Sequence, residues 1–322
     1  MKDHIILVTG GSGFVGVHIV LQLLQQGYRV RTTLRDLSKQ DTVLKALRDG
    51  GIADPEPLQF FQAELTSDQG WKEAMKDVDY VLHVASPFPA KQPEDESELI
   101  IPAREGALRV LRAARDAGVK RVVLTSSFAA IGYSNNLQGH VFTEEDWTDE
   151  ADPLMPYIKS KTVAEKAAWN FIETEARDLE LTVINPVGIF GPVIGDISSA
   201  SLDSVVKEIM TGAVSQSPEF TFGVVDVRDV ADIHIKAMLH PDAKGQRFLA
   251  TADGVMSFYD VAELIKKERP ELAAGINRIA PTPERFYINL SNEKARQVLT
   301  WQPKSKEEAL LASADSIAKT LF

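Results

Sequence analysis

Ile5-Ile6-Leu7-Val8-Thr9-Gly10-Gly11-Ser12-Gly13-Phe14-Val15-Gly16 passes from four apolar residues and a threonine into glycines at 10, 13 and 16. A short apolar run with no polar alternation reads as a strand buried on both faces, as in a parallel sheet. The amphipathic stretch Val15–Gln26 then reads as a helix, and Gly27 suits a left-handed cap at its end. Between them Gly10 allows a tight turn, Gly13 lets backbone approach a pyrophosphate, and Gly16 lets the helix pack close. The helix N-terminus turns free N–H groups toward the anion, so Gly10, Ser12, Gly13, Phe14 and Val15 are the expected dinucleotide contacts. The spacing is Gly-x-x-Gly-x-x-Gly, and the strand before and helix after carry the reading.

Outward from this unit the rhythm repeats. Arg29–Thr33, Leu58–Ala63, Tyr80–Ala85, Arg121–Ser126 and Leu181–Asn185 have strand length, with helices expected between them, including Ala103–Ala117 stopped by Gly118. The expectation is an α/β fold, a Rossmann-type doubly wound parallel sheet with a smaller C-terminal substrate lobe. Residues 1–185 would bind the dinucleotide. After Pro186, Gly188, Gly191, Pro192 and Gly195 crowd a loop, residues 186–322 would mainly form the substrate lobe, with 222–251 returning to the core. Helices are expected at Leu202–Gly212 and Ser257–Arg269, with Gln246–Thr251 as a strand and mixed helix and loop beyond.

The bulk properties remove several classes. The chain has 322 residues, 44% hydrophobic, enough for a substantial core. A net charge of -11 opposes binding to a phosphate backbone, so no nucleic-acid partner is expected. Without cysteine there is no disulfide or thiolate metal site, and the six histidines lack ligand spacing, so no metal is expected. There is no basic leader with an apolar run, and no stretch approaches the roughly 18–20 apolar residues of a membrane span. A soluble cytoplasmic protein without a membrane partner is expected.

The end of the second strand normally decides the cofactor, because an acidic residue there takes the ribose hydroxyls of NAD. Here it reads Thr33-Leu34-Arg35-Asp36-Leu37-Ser38-Lys39. Arg35 offers a planar fork to a 2′-phosphate and Lys39 a second positive charge, which points to NADP(H). The alternative is that both are solvated and Asp36 takes the ribose. Glu64 and Leu65, after the third strand, could border the adenine; Val84, Ala85 and Ser86, after the fourth, could lie along the cofactor.

Pro156 suits a first helical position, which puts Tyr157 and Lys161 on one helical face. A free phenol has a pKa near 10 and is a poor acid at neutral pH, but an adjacent ammonium and the positive nicotinamide of the oxidised cofactor stabilise its anion, so Lys161 is expected to tune Tyr157. Tyr157 would protonate a carbonyl oxygen as a nicotinamide gives hydride to its carbon. Lys161 would also hold the nicotinamide ribose, and Ser127, ending the fifth strand, would hold the substrate oxygen. Phe88, Phe128, Ile131, Tyr133 and Phe190 are expected to wall a pocket for apolar carbonyl compounds, or else to fill the core. Asp226, Arg228 and Asp229 would open a helix and brace the lobes.

With these residues the chain resembles the extended short-chain dehydrogenase/reductases, in the branch of dihydroflavonol, methylglyoxal and aldehyde reductases. The resemblance rests on Thr9–Gly16, Arg35 with Lys39, His83-Val84-Ala85-Ser86-Pro87, Thr125-Ser126-Ser127, Tyr157–Trp169, Asn185-Pro186-Val187, Gly191-Pro192 and Asp226–Ala231. It implies an NADPH-dependent reductase with Ser127, Tyr157 and Lys161 as catalytic trio and Arg35 with Lys39 as the 2′-phosphate clamp. It further implies Thr125 beside the cofactor, Pro186 and Val187 beside the nicotinamide, and Ser201 near the phosphates. Glu64 stands where the branch usually has aspartate, and the loop from Ser127 to Tyr157 is shorter than in yeast-type members. Flavonoid substrates are therefore not implied.

The expected function is a carbonyl reductase transferring hydride from NADPH to an aldehyde or ketone, working as monomer or homodimer. Two alternatives share these motifs: an NAD-dependent nucleotide-sugar epimerase or dehydratase, and a non-catalytic NADP-binding regulator.

Overall fold

The computed structural model describes residues 3–55, 58–87, 93, 95–134, 139–197 and 199–321. In chain order the first half comprises β1 (Ile5–Thr9), α1 (Phe14–Gln25), β2 (Arg29–Leu34), α2 (Gln40–Asp49), β3 (Leu58–Gln62), α3 (Trp71–Met75), β4 (Tyr80–His83), α4 (Ser97–Asp116) and β5 (Arg121–Thr125). There follow β6 (Val141–Phe142), α5 (Pro156–Glu175), β7 (Glu180–Pro186), β8 (Gly188–Phe190), α6 (Glu208–Met210), β9 (Phe222–Asp226), α7 (Val227–Leu239) and β10 (Arg247–Ala250). The chain then adds β11 (Val255–Met256), α8 (Phe258–Glu268), β12 (Asn289–Leu290), α9 (Glu293–Leu299) and α10 (Lys306–Leu321).

Seven strands form one parallel sheet in the order β10-β7-β5-β4-β1-β2-β3. Successive residues of β1 serve opposite faces: Ile6 and Val8 join the core under α1, α2 and α7, while Ile5 and Leu7 join that under α3, α4 and α5. Burial on both sides explains the uninterrupted apolar run. From β1 the chain runs outward to β3 and returns on the other side to β4, so a crevice opens beyond the C-terminal ends of β1 and β4. The expected doubly wound parallel fold is present.

Gly27 and Gly118 end α1 and α4 with φ of +79° and +72°, the left-handed conformation their positions require. α4 begins six residues before the expected Ala103 because Pro102 sits within it. The ring removes one helical N–H, yet Leu99, Ala103, Gly106, Ala107 and Val110 keep one face buried, chiefly against α5. The helix expected over Leu202–Gly212 is a π-helical stretch, Leu202–Lys207, continued by α6. Beyond β7, the small sheet β11-β9-β8 and helices α6, α8 and α10 pack together, and β12 pairs with β6. Ser313 and Ser316 of α10 accept hydrogen bonds from the N–H groups of Gly191 and Val193, tying the terminal helix to the loop after β8.

Candidate active site

The turn after β1 is built by steric necessity. Gly10 has φ +73°, and a Cβ on Gly16 would stand 2.3 Å from the Gly10 carbonyl oxygen. Gly11 is equally constrained, since its Cβ would stand 2.1 Å from Thr32 Oγ1, a tertiary contact invisible in the glycine spacing. Gly13 is different: it is extended, exposed, and its Cβ direction meets only the Gly10 oxygen, at 3.3 Å. It therefore leaves room above the turn. The N-terminus of α1 has no side-chain cap and no acidic residue in its first turn, so its N–H groups, those of Phe14 and Val15 included, suit an approaching phosphate. Opposite lies the end of β4, where Thr9 Oγ1 accepts from the N–H groups of Val84 and Ala85, both at 3.0 Å.

At the end of β2, Arg35 and Lys39 are exposed, and among the described residues neither forms a salt bridge. Asp36 is committed elsewhere: its carboxylate accepts from the N–H (2.9 Å) and hydroxyl (2.7 Å) of Ser38, capping the turn Leu37–Lys39. Those bonds hold its pKa below the ordinary value. A ribose would have to displace them, whereas an anion meets two exposed cations. Glu64 is exposed, and its carbonyl takes the Trp71 indole N–H; Leu65 instead packs on Gly106 of α4.

α5 starts at Pro156, and its first turns carry Tyr157 and Lys161. The Tyr157 hydroxyl faces Ser127, whose side chain pulls its pKa down, and Ser127 caps the short turn Phe128–Ala130, accepting from Ala129 N–H at 3.1 Å. Lys161 is buried; its Nζ donates to Ser86 Oγ at 3.0 Å and lies 5.9 Å from the Tyr157 ring centre. Glycine turn, β4 end, β5 end and α5 thus converge on one crevice.

Electrostatics correct one expectation. Tyr157 is not made more acidic here: burial pushes its pKa up to about 12, with nearby Tyr133 adding to the rise and Ser127 opposing it. Lys161 does not offset this, because burial draws its own pKa down to about 8. At neutral pH the site holds a protonated phenol beside an ammonium.

Other expected positions divide. Thr125 does not offer its hydroxyl to the crevice; it donates to His234 Nε2 of α7 at 2.7 Å, the other ring nitrogen donating to the Val230 carbonyl. Pro186 pairs with Ala250, and Val187, 9% exposed, packs toward Gly223. Ser201 precedes Leu202–Lys207, past a loop leaning on α2 through Lys45–Asp196 and Gly195–Ala46 approaches. Phe128, Ile131 and Phe190 are core residues at 8%, 1% and 1% exposure, because Phe128 packs on Phe142 and Phe190 on Phe222. They do not form the expected open wall. Tyr133 does present an open face, being half exposed, and Met155, missed in the sequence, is exposed just before α5. Phe88 lies outside the described residues.

Asp226 caps α7 and pairs with Arg228, while Asp229 accepts from Lys304 N–H and its carbonyl takes the Trp301 indole N–H. These residues brace α7 against the C-terminal segment. Among the described residues no cluster of metal-ligating side chains occurs.

Residues 6–250 match the NAD dependent epimerase/dehydratase family. The chain is 31% identical to the NADPH-dependent methylglyoxal reductase of Saccharomyces cerevisiae, the alignment covering 98% of each. It is 33% identical to a ketoreductase of Aspergillus niger over 91% of each. Its fold matches the crystal structure of yeast methylglyoxal/isovaleraldehyde reductase complexed with NADPH with a TM-score of 0.87, at 28% identity and 98% coverage of both chains.

Proposed function

The chain belongs to the NAD dependent epimerase/dehydratase family, the extended short-chain dehydrogenase/reductases, and we propose that it is an NADPH-dependent carbonyl reductase converting an aldehyde or ketone to an alcohol. The observation that carries this is the Tyr157 hydroxyl facing Ser127, with Lys161 one helical turn on and bonded to Ser86, beside an uncapped helix N-terminus. NADPH, when bound, supplies the hydride. The glycine turn and α1 N-terminus hold its diphosphate, Arg35 and Lys39 its 2′-phosphate, and Lys161 the nicotinamide ribose. Ser127 donates to the carbonyl oxygen and fixes its place. Tyr157, kept protonated by burial, gives that oxygen its proton, and the ammonium of Lys161 balances the charge left on the phenol.

Lys161 sets the pH range. The site needs a phenol, present below about pH 12, and an ammonium, present below about pH 8, so the reduction rate should fall as pH rises through about 8. Tyr133 and Met155 line the proposed substrate side, which suits small apolar carbonyls. Cytoplasmic location and action as monomer or homodimer belong to the same reading. Fractionation and solution mass test them.

NADPH absorbance followed against aldehydes, 2-oxo compounds and ketones should show consumption dependent on the carbonyl. Tightly retained NAD with interconversion of a UDP-sugar would overturn the reading, as would NADPH binding without turnover of any carbonyl. Arg35→Ala with Lys39→Ala removes charge-assisted hydrogen bonds worth about 1.5–3 kcal/mol, so KM for NADPH should rise about 10- to 100-fold. KM for NADH should stay within about twofold. A preference for NADH in the unaltered enzyme would contradict the assigned clamp.

A further inference from the structure

Glu165 lies one helical turn beyond Lys161, wholly buried, and four donors converge on it. Its Oε2 accepts from the Ser126 hydroxyl and, at 2.8 Å, from Asn185 Nδ2. Its Oε1 accepts from Arg247 Nε at 2.6 Å and from the Trp169 indole at 3.3 Å. Arg247 is buried too, stacked 3.7 Å from the Trp147 ring centre and donating to the carbonyls of Glu144 and Asp146. A buried ion pair is costly to assemble, and packed apolar residues often serve stability as well or better. Its placement links it to the site.

Asn185 makes the link. It divides its donors between Glu165 and the main-chain carbonyl of Ser127, at 3.1 Å, and leaves Oδ1 buried without a hydrogen-bond partner among the described residues. Turning the amide over would set its oxygen against those two acceptors, so the orientation is fixed at the expense of one unsatisfied atom. Glu165 thereby reaches Ser127 from below. It also acts on Lys161: burial removes charge from that amine, and the Glu165 carboxylate is the group that opposes the loss. Among the described residues, the remaining titratable groups facing Lys161 are Tyr157 on its own helix and His83 of β4, held neutral by burial; α4 presents Ala103 and Ala107.

We propose that Glu165, held by Arg247, is a positioning residue of the reaction, fixing Ser127 through Asn185 and setting its carboxylate one helical turn from Lys161. The inference rests on Ser127, Tyr157 and Lys161 being the reacting set.

Glu165→Gln keeps the shape and removes the charge. It should lower kcat about 10- to 100-fold, as small displacements of reacting groups do, with NADPH affinity within about threefold. The alkaline limb of the rate should move about one pH unit downward, because Lys161 loses its counter-charge. A lower melting temperature with the limb unmoved would mean a purely structural role and overturn the proposal. The glutamine leaves the Arg247 charge buried and unpaired, so the pair Glu165→Gln with Arg247→Met, which removes both charges, should be made alongside; the same downward movement is expected. Lys161→Met separates the two levels. If it retains the rate, the reacting set is misassigned; if it is inactive while both Glu165 variants keep rate and limb, only the positioning role falls.

Discussion

Tyr157→Phe is expected to lower turnover by ~10²–10⁴-fold, the range a positioned general acid contributes. NADPH affinity should change little, since the hydroxyl faces Ser127. The change removes one oxygen from a partly buried ring, so the fold should survive. Burial holds the phenol's pKa at about 12, so the proton is fully present at neutral pH, and none of the described residues around it is placed to supply another. Lys161, whose pKa is drawn to about 8, donates to Ser86 rather than into the position of the phenol. Single-turnover reduction with pre-bound NADPH isolates chemistry from release. A variant keeping more than about a tenth of the rate would remove Tyr157 from the acid role.

Acid should unfold this protein sharply. His18, His83 and His234 are buried, and burial lowers their pKa values from 6.5 to about 4, 3 and 4. Burial holds them neutral against their contacts: the Pro192 carbonyl on His18 and the Val230 carbonyl on His234 favour the proton but are outweighed, and His83 bonds the Thr9 hydroxyl. The unfolded chain takes up these protons near pH 6.5 and the native protein only near 4 or below. Their contribution is therefore complete above 6.5 and lost as pH falls toward 4. At about pH 5 each should cost about 2 kcal/mol, about 6 together. Asp229 works the other way: its pKa is raised to about 6, so the native state gains about 1 kcal/mol there. A net loss near 5 kcal/mol rivals the whole stability of a marginal protein, ~5–15 kcal/mol. Urea midpoints measured at about pH 7 and pH 5 should differ accordingly, and equal midpoints would contradict the neutral assignments.

What the sequence disclosed follows from how local each cause is. The β1 strand, the glycine turn and α1 are contiguous, so spacing alone carries them; likewise Pro156, Tyr157 and Lys161 lie on one helix at a fixed periodicity. Gly27 and Gly118 were legible as caps because a positive φ is a property of one residue. Long-range causes were not. Glu165 meets Arg247 across 82 positions, and Gly11 is constrained by Thr32 on another strand. Ile131 and Phe190 read as pocket residues because an aromatic or aliphatic chain after a strand looks the same whether it faces a crevice or another ring. Phenol acidity was misjudged for a related reason: helical spacing shows the lysine nearby, but the burial that outweighs it belongs to the assembled fold.

The central claim is that Tyr157 protonates a carbonyl oxygen whose carbon receives hydride from NADPH. Reduction of a small aldehyde with NADPH deuterated on the transferring face of nicotinamide C4 tests it most directly, with the alcohol examined by mass spectrometry. One deuterium per NADPH consumed should appear on the new alcohol carbon, and Tyr157→Phe should slow its formation by the same ~10²–10⁴-fold. Alcohol free of deuterium, or label kept on the nucleotide while a sugar substrate isomerises, would contradict the account.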